Sequence, residues 1–185
     1  MANGGIRFRT CIFTVTALVA VLLYAAPARA AGGDYVFDGG GPNARAEVKA
    51  ALDASRFPWD VVPVEITIHI RRDIAPHATP GDIWLPRGLL RAGKFAWGIV
   101  QHEYAHQVGY FLVGLDERFR LIRRLRGRAW CHERPGLPHH AHACERFAHI
   151  LTWGYWPSRH NVARPDVSAL AASEARRFVA RVVAS

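Results

Sequence analysis

His102, Glu103 and His106 are the residues of this chain whose types and spacing are best suited to chemistry. On a helix, two imidazoles four positions apart lie one turn apart on one face, so both can reach the same zinc ion. The carboxylate between them lines the same pocket, where it can take a proton from water. The plain alternative is a core helix with satisfied histidines. A buried helix carrying two His and one Glu leaves polar groups that are costly to bury unless something binds them, which favours the metal.

The run His102-Glu103-Tyr104-Ala105-His106 has the form HExxH, the signature of zinc peptidases. Three fixed positions in a chain with 10 His among 185 residues are weak support on their own, so the surroundings matter. Phe95, Ile99, Tyr104, Val108 and Phe111 recur at three- and four-residue spacing and predict a helix from Lys94 to Val113. Gly93 and Gly114 punctuate it.

A hydrolytic zinc needs three protein ligands and one open position. Leu112 stands where the extended motif HExxHxxGxxH has its third His, and Met1 is the only methionine, which excludes the subclass built on a methionine turn. Glu145, His149 and His142 remain, three and four apart on one stripe of a helix expected from His139 to Trp156. Histidines 132, 139 and 140 fall near Pro135 and Pro138 in expected loop.

At these residues the chain resembles the gluzincin branch of zinc metallopeptidases, the thermolysin-like group in which a Glu on a following helix completes the site. The resemblance implies a zinc ion held by His102, His106 and Glu145, with Glu103 as general base. It also implies a zincin-like α+β fold, a small twisted sheet with an edge strand packed on the motif helix, and further helices. Residues Gly81 to Leu85 take the place of the edge strand that pairs with an extended substrate, with Trp84 flanking the cleft or simply packing there. His149 departs from the pattern, because gluzincins often have at that position an Asp that orients a zinc-bound His. His149 then either serves in that role as a neutral acceptor or is itself a ligand. Tyr155 and His160 are the late residues that could stabilise an oxyanion.

Several elements must position these groups. A helix is expected from Pro42 to Ser55, with Val48, Ala51, Leu52 and Ser55 inward, after an irregular glycine-rich stretch from Ala31 to Asn43. Val64 to Arg71 alternates apolar with polar and predicts a strand with one buried face and His69 as a surface residue on the other. Asp82 to Leu85 reads as an edge strand stopped by Pro86. An Arg-rich helix from Asp116 to Arg126 should turn Phe119, Ile122 and Leu125 inward, and a last helix from Val167 to Val183 should pack Ala171, Ala175, Phe178 and Val182.

Residues 1–30 read as a cleaved signal peptide: Arg7 and Arg9, an apolar run from Cys11 to Ala26, and the small-x-small site Ala28-Arg29-Ala30. Residues 31–185 then form a single domain, secreted or extracytoplasmic, with no membrane span and expected to be a monomer. In an oxidising compartment Cys131 and Cys144 should pair, closing a short loop worth about 3 kcal/mol. The rival is a structural zinc site of Cys131, His132, His142 and Cys144.

The net charge is +9, and loss of Arg7, Arg9 and Arg29 leaves the chain basic. Arg118, Arg120, Arg123, Arg124, Arg126 and Arg128 form a solvated helix face more readily than a dedicated anion site. Anionic cell-wall polymers suit that charge, and no nucleic-acid motif accompanies it. The expected activity is zinc-dependent hydrolysis of a peptide or protein substrate. A non-catalytic zinc-binding or scaffold protein of the cell exterior is the rival, and Glu103 argues against it, since a purely structural site needs no base. Hydrolysis of a wall amide is the third reading.

Overall fold

A computed structural model of the chain describes Met1 and residues 33–131, 134, 136–162 and 170–185. Residues 2–32, which hold nearly all of the expected signal peptide, and His132 lie outside the described residues. The fold is α+β. Strands β1 (Tyr35–Gly39), β2 (Ile66–Arg71), β3 (His77–Thr79) and β4 (Asp82–Pro86) form one mixed sheet in the order β1-β2-β4-β3. Helices α1 (Pro42–Ala54), α2 (Lys94–Phe111), α3 (Leu115–Arg124), α4 (Ala143–Tyr155) and α5 (Ala172–Val183) accompany it. Among the described residues no helix is long and apolar enough to cross a membrane.

β1 and β2 run parallel, as do β2 and β4, whereas β3 runs antiparallel to β4. Ile66, Ile68, Ile70, Ile83 and Leu85 line the buried face, as alternation requires. The opposite face carries a row in register across all four strands: Asp38, His69, Trp84 and His77. His69 is held there at both ring nitrogens, Nδ1 lying 2.7 Å from Asp38 Oδ2 and Nε2 2.8 Å from Asp82 Oδ1.

Three expectations are corrected. Tyr35–Gly39 is a strand where the glycines suggested irregular chain. The glycines flank that segment, and Gly39 and Gly40, both at positive φ, make the turn into α1. Tyr35 and Phe37 pack edge to face between them, 5.4 Å apart. Asp82–Pro86 is not the sheet edge, because the Pro80-Gly81 turn folds His77–Thr79 back along it. Trp84 therefore stacks between His69 and His77 on the outer face, with centroids 4.8 and 4.6 Å away, and does not flank a cleft beside α2.

The helix boundaries follow the hydrophobic spacing closely for α1 and α2. The Arg-rich helix buries Leu121, while Ile122 and Leu125 are half-buried and Phe119 is exposed. Arg118 ties its start back to α2 by donating to the carbonyls of Gly109, Tyr110 and Val113. The helix expected from His139 splits into a 3-10 turn over His139–Ala141 and then α4. The last helix starts at Ala172 rather than Val167; residues 163–169 lie outside the described residues. It buries Ala175, Phe178 and Val182 as spacing predicts, and Val179 as well, but Ala171 is its exposed N-cap.

α2 is the centre of the molecule, packed against α1, α4 and the β3–β4 hairpin. Every residue from Val100 to Gly109 is buried, so its polar side chains need partners inside the protein. Gln107 finds them in the β3–β4 turn: its Oε1 accepts from Gly81 N at 2.9 Å, and its Nε2 donates to Thr79 O and Asp82 O at 2.9 and 3.0 Å. Gln107→Ala leaves these backbone groups without partners and is expected to cost about 2–3 kcal/mol. A urea unfolding curve shifted by less than about 0.5 kcal/mol would show that the clamp contributes nothing.

Candidate metal centre

α2 and α4 lie side by side, with Gly109 close to Trp130 and Phe147, and this packing brings Glu145 opposite the two histidines. His102 Nε2 lies 3.0 Å from Glu145 Oε2, His106 Nε2 lies 3.3 Å from the same oxygen, and the two Nε2 atoms are 3.2 Å apart. All three side chains are buried. Such a group could hold a metal ion.

Chemistry decides whether it fits one. Ligand atoms about 2.0–2.1 Å from a tetrahedral zinc lie about 3.3 Å from one another, so this triangle is close to one face of such a site. Protons satisfy it badly. If both Nε2 atoms, 3.2 Å apart, carried hydrogens toward the one Glu145 oxygen, the two hydrogens would crowd each other. A cation at the centre engages both nitrogens and the oxygen at once.

The electrostatics fit as well. Burial drives the His102 imidazolium down to about 3, against an opposing hydrogen bond to Glu145, which keeps the ring neutral and its lone pair available. Burial acts to raise Glu145, but contacts with His102, His106 and His139 outweigh it and hold the carboxyl well below its ordinary range. Glu103, also buried, is pushed up to about 7 by desolvation, with His106 pulling the other way. His106, Glu145 and His139 all act on its charge, so it belongs to the same cluster.

The other ligand candidates stand outside the triangle. The His149 ring is 4.6 Å from that of His102, beside it rather than across from it. His142, the N-cap of α4, has Nδ1 3.3 Å from His139 O. Tyr155 packs edge to face on Phe57 at the far end of α4, and His160 does the same on Phe95 at the start of α2. Neither reaches the triangle as an oxyanion donor. Cys131 and Cys144 stand at disulfide distance, with Cα atoms 5.5 Å apart.

Two neighbours of the site escape sequence reasoning. Tyr110 lies one turn beyond His106, its ring 6.3 Å away, and its hydroxyl donates to Ala78 O at 3.2 Å. Burial, with Glu145 and Glu103 nearby, pushes that hydroxyl up to about 12. The spacing of His102, His106 and Tyr110 as i, i+4 and i+8 was the available signal.

The second neighbour is His139, placed in a crowded histidine stretch with no local rule to single it out. Its Nε2 donates to Glu145 Oε2 at 3.0 Å from the exposed side. The 3-10 turn that carries it is fixed by Arg128 N donating to Ala141 O and by Arg146 Nε donating to His140 O. His139→Ala is expected to weaken metal binding about 10- to 100-fold, the usual effect of removing a group that orients a ligand. His139→Gln, which keeps a donor, should recover part of it in a chelator competition. Equal affinities in all three proteins would remove His139 from the site.

Comparisons with family models, curated proteins and solved structures return no match.

Proposed function

We propose that this chain is a zinc-dependent hydrolase of peptide bonds, zincin-like in fold and gluzincin-like in its ligands, acting outside the cytoplasm on a peptide or protein substrate. The observation that carries the reading is the buried triangle of His102 Nε2, His106 Nε2 and Glu145 Oε2 with Glu103 in the same cluster. Imidazole nitrogen and carboxylate oxygen in this number are the ligand set of catalytic zinc. A bound zinc supplies Lewis-acid polarisation of the scissile carbonyl and a water acidic enough to attack near neutral pH.

The chain's own residues do the rest. His102 and His106 present their Nε2 lone pairs, and Glu145 supplies the one negative charge of the set. Glu103, in the same buried cluster, accepts a proton from the attacking water and returns it to the leaving nitrogen. His139 fixes the Glu145 carboxylate from outside. Tyr110, one turn from His106, stays protonated and spends its hydroxyl proton on Ala78 O.

A non-catalytic zinc-binding module is the second reading, and the sheet edge favours it. β4 already has β3 alongside, β3 has three residues, and Ala78 O is engaged by Tyr110, which leaves little edge for an extended substrate. The deciding experiment is a peptide-library digest by the zinc-loaded chain read by mass spectrometry. Cleavage that stops on chelation and resumes with zinc supports the hydrolase. Intact peptides beside a stoichiometric zinc load support the module.

A further inference from the structure

His106 belongs to two sets of ligand atoms. One is the triangle with His102 and Glu145; the other joins His106 to Cys131 and Cys144, again with all ligand atoms within 4.8 Å of one another and all three residues buried. Chain connectivity couples the sets, since Cys144 and Glu145 are successive residues in the first turn of α4. Cys144 Sγ lies 3.9 Å from Glu145 Oε1.

As a disulfide the two sulfurs are poor ligands, because thiolate is the form that binds metal. We propose that Cys131 and Cys144, once reduced, form with His106 a second, thiolate-rich metal site, so that the oxidation state of the pair selects which ligands His106 serves. A dithiol reductant breaks the sulfur–sulfur bond by exchange, delivers two electrons to the pair and closes into its own disulfide, leaving a thiol on each cysteine. A divalent cation then displaces the two thiol protons to solvent and takes both thiolates and the His106 imidazole.

Charge and softness decide the competition. Two thiolates neutralise a divalent cation in a buried site, whereas Glu145 alone leaves one positive charge uncompensated. Soft sulfur ligands also select zinc, cadmium and cobalt over harder ions. In the oxidised chain the second site does not exist, and His106 is left to His102 and Glu145. The competition for His106 rests on the metal reading of that triangle; the thiolate site itself does not.

The test uses the chain with Cys11→Ser throughout, so that Cys131 and Cys144 are its only cysteines. One half is kept oxidised; the other is reduced with dithiothreitol, freed of it by anaerobic gel filtration, and both are titrated with Co2+. The reduced chain should develop near-ultraviolet thiolate-to-cobalt charge-transfer absorption that saturates at one equivalent, and the oxidised chain should not. Cys131→Ser should abolish the band, His106→Ala should weaken Co2+ binding at least tenfold, and Glu145→Ala should keep the band. Three results overturn the proposal: no band in a reduced chain that keeps its helical circular dichroism, a band indifferent to His106→Ala, or loss of helix on reduction. Failure of the triangle would instead appear as no zinc in the oxidised parent, with the thiolate band intact.

Discussion

Glu145→Ala is expected to strip the oxidised chain of zinc, from about one ion per molecule to about a tenth of that or less. The substitution removes one of three ligands and the only negative charge among them. Glu145 Oε2 is also the atom on which His102, His106 and His139 all converge, at 3.0, 3.3 and 3.0 Å, so nothing remains to hold the two imidazoles against a cation. His149→Ala and His142→Ala should keep the metal, since neither side chain belongs to the triangle. Elemental mass spectrometry of the purified proteins decides the matter. Zinc retained in Glu145→Ala, or lost in His149→Ala, would place the third ligand elsewhere.

A pH dependence follows for the metal-free protein. The Glu145 carboxyl is held below its ordinary 4.5, so its contacts stabilise the fold above that value, and the contribution is lost as pH falls below it. Glu145→Ala should lose that part of the acid sensitivity. Thermal unfolding of parent and variant at pH 7 and pH 3 measures the difference.

Glu103→Gln is the second large effect: zinc retained, peptide cleavage reduced about 10²- to 10⁴-fold. Gln has nearly the same shape but cannot accept the proton of the attacking water, so binding and chemistry separate. Without metal the same change should stabilise the fold. Burial raises Glu103 from 4.5 to about 7, so its ionised form costs the folded state stability, a cost absent below pH 4.5 and complete above pH 7. By linkage that cost is on the order of 3 kcal/mol. Metal-free Glu103→Gln should therefore melt higher than the parent at pH 8 and level with it at pH 4. Full cleavage by Glu103→Gln would end the general-base role, and equal melting at pH 8 would mean that water reaches the carboxyl.

Local sequence carried much of this protein. The four-residue spacing of His102 and His106 places them on one helical face whatever surrounds them, because helix geometry is set by the backbone. The same periodicity gave the extents of α1 and α2 to within two residues and the buried face of β2. Cys131 and Cys144, the two cysteines beyond the expected signal peptide, come together as their count suggested. By spacing Glu145 was one of several candidates on a stripe, and only the gluzincin resemblance singled it out, since a stripe shows which residues share a face but not what the face meets.

What the face meets is a matter of long-range packing. The approach of α4 to α2 decided that Glu145, and not His142 or His149, stands opposite the histidines. The fold-back at Pro80-Gly81 turned an expected edge strand into an inner one and sent Trp84 to the outer face, because strand pairing depends on partners that a local alternation does not name. Glycine flanks hid β1 for the same reason: its pairing partner β2 lies some thirty residues further on. His139 reaches Glu145 only because the chain at Arg128 and Ala129 pins its turn against the start of α4. Sequence by itself determined which residues could bind a metal and carry a proton, because those properties belong to side-chain types and helical spacing. Tertiary structure alone decided which of them share one buried point, because that is fixed by contacts between segments far apart in the chain.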